Sequence, residues 1–164
     1  VSSPAPHPFR TRIADAADVE PLVRLINAAF PVERFFIDGD RINSEGIRRL
    51  MGTGQFLVAE DDAGMSGCVY VEPRGDRAYL GLLSGDPSRQ RSGLGSRLMA
   101  SAEEHACASG IRTMDLRIVN VRRELPEFYR QLGYIVTCTS PFSPDVVTKQ
   151  SCHFINMSKA LACA

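Results

Sequence analysis

The stretch Gly85-Asp86-Pro87-Ser88-Arg89-Gln90-Arg91-Ser92-Gly93-Leu94-Gly95 joins segments of opposite periodicity and constrains the fold more than any other feature of the chain. Before it, Phe56 to Glu60, Met65 to Glu72 and Arg77 to Ser84 carry β-type patterns, and Asp61-Asp62-Ala63-Gly64 turns the first two into a hairpin. After it, Leu94, Leu98, Ala102 and Ala106 recur on one helical face until Gly110 supplies a stop. The loop therefore sits between a strand and a helix.

The flanks extend the pattern. Arg10 to Ala14 predicts a short strand, and Asp15 is of the right type to cap a helix through Val19, Leu22, Leu25, Ile26 and Phe30, ended by Pro31. Ser44 is expected to cap a second helix through Ile47, Leu50 and Met51, stopped by Gly52 and Gly54. Thr113 to Val119 reads as a strand, Pro126 to Leu132 as a helix broken by Gly133, and Tyr134 to Thr139 with Cys152 to Met157 as a closing antiparallel pair. The order β-α-α-β-β-β-α-β-α-β-β predicts an α/β chain of mixed α+β character, a mixed sheet with helices on its faces. Residues 1–8, with three prolines, read as a loose tail before a single domain over 9–164.

Charge narrows the function classes. Nineteen basic and nineteen acidic residues cancel, so no global field exists to hold nucleic acid or an anionic membrane, and any anion site must be local. No apolar run approaches the roughly 20 residues of a membrane helix, and the first residues lack a signal peptide's regions, so a cytoplasmic protein is expected. Cys68, Cys107, Cys138, Cys152 and Cys163 show no C-x-x-C spacing and are odd in number, which favours reduced, structural thiols. His7, His105 and His153 are scattered, so no metal is expected.

A helix start exposes about four unpaired N–H groups and carries about half a unit of positive charge. Gly93 and Gly95 keep side chains off those donors, and Arg89, Arg91 and Arg97 add charge at the rim, a suitable cradle for a diphosphate. Four readings compete for it. A nucleotide-hydrolysing loop needs a Gly-Lys-Ser/Thr ending that is absent. The dinucleotide fingerprint needs a third glycine where Leu98 stands, and Asp115 would enter its strand rather than leave it. A plain glycine-rich turn and the pyrophosphate of another cofactor remain.

With Pro87 three positions before Gln90, the loop resembles the GNAT superfamily of acetyltransferases, whose signature is Arg/Gln-x-x-Gly-x-Gly/Ala. The resemblance runs from about Arg12 to Met157 and includes Glu124-Leu125-Pro126-Glu127-Phe128-Tyr129-Arg130-Gln131-Leu132-Gly133-Tyr134. It implies a central, mostly antiparallel sheet with a splay between its central strands and acetyl transfer from acetyl-CoA, as co-substrate, to a primary amine. Cofactor contacts are then expected from Leu83, Ser84 and Gly85 on the splayed strand, and from Gln90, Arg91, Ser92, Gly93, Leu94, Gly95 and Ser96 at the helix start. Asn120 would bond the pantetheine arm, and Tyr129 would return a proton to the departing thiolate; as ordinary residues they would be a turn asparagine and a packed aromatic.

Glu72 ranks first as the base that frees the amine, ahead of Glu33, Asp38 and Asp40, while Tyr79 occupies a position where some relatives carry a glutamate base. Phe35 and Phe36 are candidates to line the acceptor pocket, and a Cys68 nucleophile lacks a histidine partner. The acceptor is expected to be a small-molecule or peptide amine, with neither nucleic acid nor membrane as partner and room for a homodimer. A noncatalytic acyl-CoA-binding module and a structural or interaction domain that retains the fold are the rival readings.

Overall fold

The computed structural model describes residues 9–33, 36–89 and 93–163. In chain order these form β1 (Arg10–Ile13), α1 (Val19–Ala29), α2 (Ser44–Met51), β2 (Gln55–Asp61), β3 (Gly64–Arg74), β4 (Arg77–Gly85), α3 (Leu94–Ala108), β5 (Thr113–Val119), α4 (Leu125–Gln131), β6 (Ile135–Pro141) and β7 (His153–Ala160). The seven strands lie in the order β1-β2-β3-β4-β5-β7-β6. Every neighbouring pair is antiparallel except β4 and β5, which run parallel because α3 carries the chain back across the sheet between them.

Alternation along β2 and β3 sends side chains to two cores. On one face Leu57, Val69, Leu80, Met114 and Leu116 meet Leu94, Leu98, Met99, Ala102 and Ala106 of α3, the helical stripe read in the sequence. On the other face Phe56, Val58, Cys68 and Tyr70 meet Leu22, Ile26 and Ile47 of α1 and α2. Gly67 of β3 sets how near α3 comes, since a Cβ there would stand 2.8 Å from a Leu98 methyl and 3.0 Å from one of Leu94. That close approach fixes the start of α3 against β3.

Helix ends follow local chemistry. Asp15 accepts from the Ala17 N–H at 2.9 Å while Asp18 accepts from the Asp15 N–H at 2.8 Å, a reciprocal cap leading through a short 3-10 turn into α1. Asp18 also takes both Arg12 Nη atoms at 2.7 and 2.9 Å, and Arg12 reaches Glu60 at 3.0 Å, so one guanidinium ties β1, β2 and the helix entry together. Those hydrogen bonds hold the Asp18 carboxyl below its ordinary value. The cap of α2 is Asn43 rather than Ser44: the backbone of Asn43 is extended and its side chain accepts from Gly46 N–H at 2.8 Å, whereas Ser44 already opens the helix.

One cysteine expectation is overturned. Cys107, in the last turn of α3, is disulfide-bonded to Cys163, with the Cα atoms 5.5 Å apart. The pair forms because Leu161 N–H donates to Arg112 O at 2.8 Å, which draws the segment after β7 alongside the end of α3. Cys68, Cys138 and Cys152 are free thiols. Among the described residues no helix is long and apolar enough to cross a membrane.

Candidate active site

The parallel pairing of β4 with β5 stops at Leu80 opposite Leu116, although both strands continue. The cause lies in β4 itself. Cys68 pairs with Ser84 and Tyr70 with Gly81, so Leu82 and Leu83 together face Val69 in a bulge. Leu82 accordingly takes φ 53°, a left-handed conformation that costs a leucine of order 1 kcal/mol or more. The Cys68 thiol lies 3.7 Å from Leu82 O and stays protonated, because complete burial pushes its pKa up to about 12. Burial thereby works against a nucleophilic thiolate at this position.

The splay opens a cavity of about 1130 Å³. Leu82 to Asp86 form one wall, Leu116 to Val119 another, and Gly93, Leu94, Gly95 and Ser96 stand at its edge. Gly93 is the cap residue of α3, with φ 74° and no side-chain cap hydrogen bond. A Cβ at Gly93 would find no atom within 4 Å, so the glycine answers to its left-handed backbone and leaves open space before the first-turn N–H groups. A glycine-capped helix start, whose first-turn N–H groups have no partner within the helix, at the edge of a cavity is suited to a ligand diphosphate.

Tyr129 of α4 reaches the same cavity and is 7% exposed, its ring packed edge-on against Phe128 at 5.0 Å and Tyr134 at 6.0 Å. Burial pushes the phenol up to about 12, with the nearby Arg122 guanidinium pulling the other way. Arg122, also in the lining, is held by Glu33 at 3.2 Å and Glu124 at 2.6 Å.

Comparison with known proteins settles the lineage. Residues 52–136, more than half of the chain, match the family described as Acetyltransferase (GNAT) domain. The chain belongs to the GNAT acetyltransferase family. Its fold is similar to that of the ribosomal-protein-S18-alanine N-acetyltransferase of Escherichia coli, at TM-score 0.76 and 16% identity over 95% of this chain and 96% of that one. It is similar also to yncA of Salmonella typhimurium, described as an acetyltransferase and solved with its cofactor acetyl-CoA (TM-score 0.72, 19% identity, 93% and 94% covered). Nourseothricin acetyltransferase is a third neighbour in fold (TM-score 0.73, 19% identity, 93% and 98% covered). No curated protein sequence matches the chain.

Within this GNAT domain the sequence candidates part company. Leu83, Ser84, Gly85, Gly93, Leu94, Gly95, Ser96 and Tyr129 all line the cavity. Gln90, Arg91, Ser92 and Phe35 lie outside the described residues. Asn120 is absent from the lining: its Oδ1 accepts from His153 N–H at 2.8 Å and its own N–H donates to His153 O, which closes the β5–β7 ladder. Val119 and Arg122 stand in the wall instead.

Glu72 is likewise absent from the lining, its carboxylate occupied by Arg74 at 2.7 Å. Glu33, Asp38, Asp40 and Phe36 do face the cavity. Sequence reasoning passed over Arg117, Arg122, Phe142 and Phe154, which also line it and which no motif or spacing marks.

Proposed function

We propose that this GNAT-family chain transfers the acetyl group of acetyl-CoA to a primary amine by direct attack in a ternary complex. The observation that carries the reading is the convergence on one cavity of the uncapped, left-handed Gly93 helix start, the strand opened by the Leu82 bulge, and the buried Tyr129 phenol.

The thioester supplies the activated acyl carbon. First-turn amides of α3 would hold the diphosphate, and the opened edge of β4 around Leu83 to Gly85 would present backbone groups to the pantetheine and carbonyl. An alkylamine of pKa about 10.4 loses its proton at a cost near 4.6 kcal/mol at pH 7. Of the lining carboxylates Glu33, Asp38 and Asp40, Glu33 would take this task as the half-buried one, beside Arg122, whereas Glu72 is not in the lining. The C–N bond then forms as the C–S bond breaks, and Tyr129 donates its proton toward the departing sulfur. Burial holds the phenol protonated, and the same apolar surroundings raise the thiolate's basicity, so the two partners are displaced in the same direction.

A free-thiol release assay on a panel of amines tests the reading, with Gly93→Pro as a variant that cannot adopt φ 74°. Amine-dependent thiol release by the parent, lost in Gly93→Pro while circular dichroism stays unchanged, is the expected result. Cofactor binding without turnover of any amine would point to a noncatalytic module. No thermal stabilisation by saturating acetyl-CoA would point to a structural domain, because a ligand at about 100 times its dissociation constant adds near 2.7 kcal/mol.

A further inference from the structure

Resting on that reading, we propose that the acceptor amine carries a carboxylate and that Arg117 binds it. Along β5, Met114, Leu116 and Ile118 point into the core beneath α3, which turns Asp115 and Arg117 to the opposite face of the sheet. Arg117 stands in the wall of the active-site cavity, one residue beyond the point where β4 and β5 separate.

Charge accounting singles it out. Arg74 is taken by Glu72 at 2.7 Å, and Arg77 is bound through two nitrogens to Asp115 at 2.7 and 2.6 Å. Arg122 is taken by Glu33 and Glu124, while Asp38 is held by Lys149 at 2.8 Å. Arg117 has no carboxylate partner among the described residues. Arg41, the other lining arginine without one, is exposed as Arg117 is, but has no aromatic ring contact among the described residues.

Position is fixed by aromatic faces rather than by an ion pair. The Arg117 guanidinium carbon lies 4.2 Å from the centre of the Phe154 ring and 5.9 Å from that of Tyr79. Stacking engages the face of the guanidinium and leaves its forked edge N–H donors free of the rings, on a side chain that borders this cavity and a smaller one beside Arg74 and Arg77. Phe142 packs on Phe154 at 4.8 Å, and Phe30 and Phe36 line the cavity as well, so an apolar group finds surface beside the anion-binding fork. A planar fork in the cavity wall with no carboxylate partner among the described residues suits a carboxylate better than a lone ammonium would.

The test compares kcat/KM for L-phenylalanine, γ-aminobutyrate and the dipeptide Ala-Phe, each against its own carboxamide, with parent, Arg117→Met and Arg117→Lys. The responding pair tells whether the carboxylate sits next to the amine, several bonds away, or at the end of a peptide. In the parent at least one carboxylate should exceed its amide by about tenfold, a magnitude suited to a single charge-assisted contact at an exposed arginine. Arg117→Met should erase that ratio, Arg117→Lys should restore part of it, and added salt should shrink it. Equal rates within all three pairs, or a preference that survives in Arg117→Met, overturns the proposal while leaving acetyl transfer standing. Absence of turnover with every amine removes the acetyltransferase reading and this inference together.

Discussion

The ring of Tyr79 lies back along its own strand over Gly81, so close that a Cβ on Gly81 would meet the Tyr79 Cε1 at 3.1 Å and its hydroxyl at 3.2 Å. Arg74 packs on the same ring at 4.7 Å and Arg117 at 5.9 Å, which leaves the tyrosine little freedom to yield. Tyr79 lines the cavity, so Gly81→Ala displaces an acceptor-side wall by a few tenths of an ångström without opening the core. Steady-state kinetics should show acceptor kcat/KM lower by roughly three- to tenfold, since small misplacements in a reacting pair cost rate steeply. Thermal stabilisation by acetyl-CoA should match the parent's; unchanged kcat/KM would show that Tyr79 plays no part in acceptor placement.

Tyr129→Phe should lower kcat by about 10²-fold or more while acetyl-CoA still stabilises the protein. With the phenol held at about 12, the parent's rate should climb as the acceptor amine loses its proton and show no decline owed to Tyr129 until the pH nears that value. The raised value also links to folding. Stability that Tyr129 contributes is complete below the ordinary tyrosine value of about 10 and is lost as pH rises through the folded one. Melting temperatures between neutral and strongly alkaline pH should therefore fall less steeply in the phenylalanine variant. A kcat equal to the parent's would remove Tyr129 from the chemistry.

Reduction of Cys107–Cys163 should destabilise the protein. The bridge closes a segment of 56 residues, for which loop entropy gives an upper figure of about 4 kcal/mol. Differential scanning calorimetry with and without reductant should show a lower melting temperature in reductant, and Cys163→Ser should melt at that lower temperature in both. An identical melt with and without reductant would mean that the bridge does not form in solution.

Asp18→Asn should destabilise at neutral pH by about 1 to 3 kcal/mol, because it breaks the paired cap and half of the Arg12 clamp. The folded Asp18 carboxyl lies below its ordinary value, chiefly through Arg12, so its contribution is present above the unfolded value of about 4 and disappears as pH falls through the folded one. Urea midpoints followed downward from pH 5 should consequently drop less in the variant than in the parent. Parallel curves would show that the ionised Asp18 carboxylate gains nothing from the clamp on folding.

Periodicity with turn and cap residues located the strands and α-helices of the described residues, though not the short 3-10 helices, because alternation over Phe56 to Ser84 and the stripe Leu94, Leu98, Ala102 and Ala106 are written in neighbouring residues. The glycine loop was legible for the same reason: a left-handed cap at a helix start demands Gly93 locally. Three features needed the folded chain. The Leu82 bulge depends on how β3 registers against β4, the Cys107–Cys163 bridge on the course of the chain after β7, and Asn120 on its pairing with His153. Glu72 looked well placed along the sequence, yet Arg74 two residues away claims it.

What the sequence by itself determined is therefore the set of elements, their order and the glycine-led start of α3, since each follows from contacts within a turn or a strand. The tertiary structure alone decided which charges in the cavity find a partner among the described residues and which aromatic rings surround them. Those outcomes rest on partners far apart in sequence, such as Arg122 with Glu33 and Lys149 with Asp38, and no local spacing encodes such a meeting.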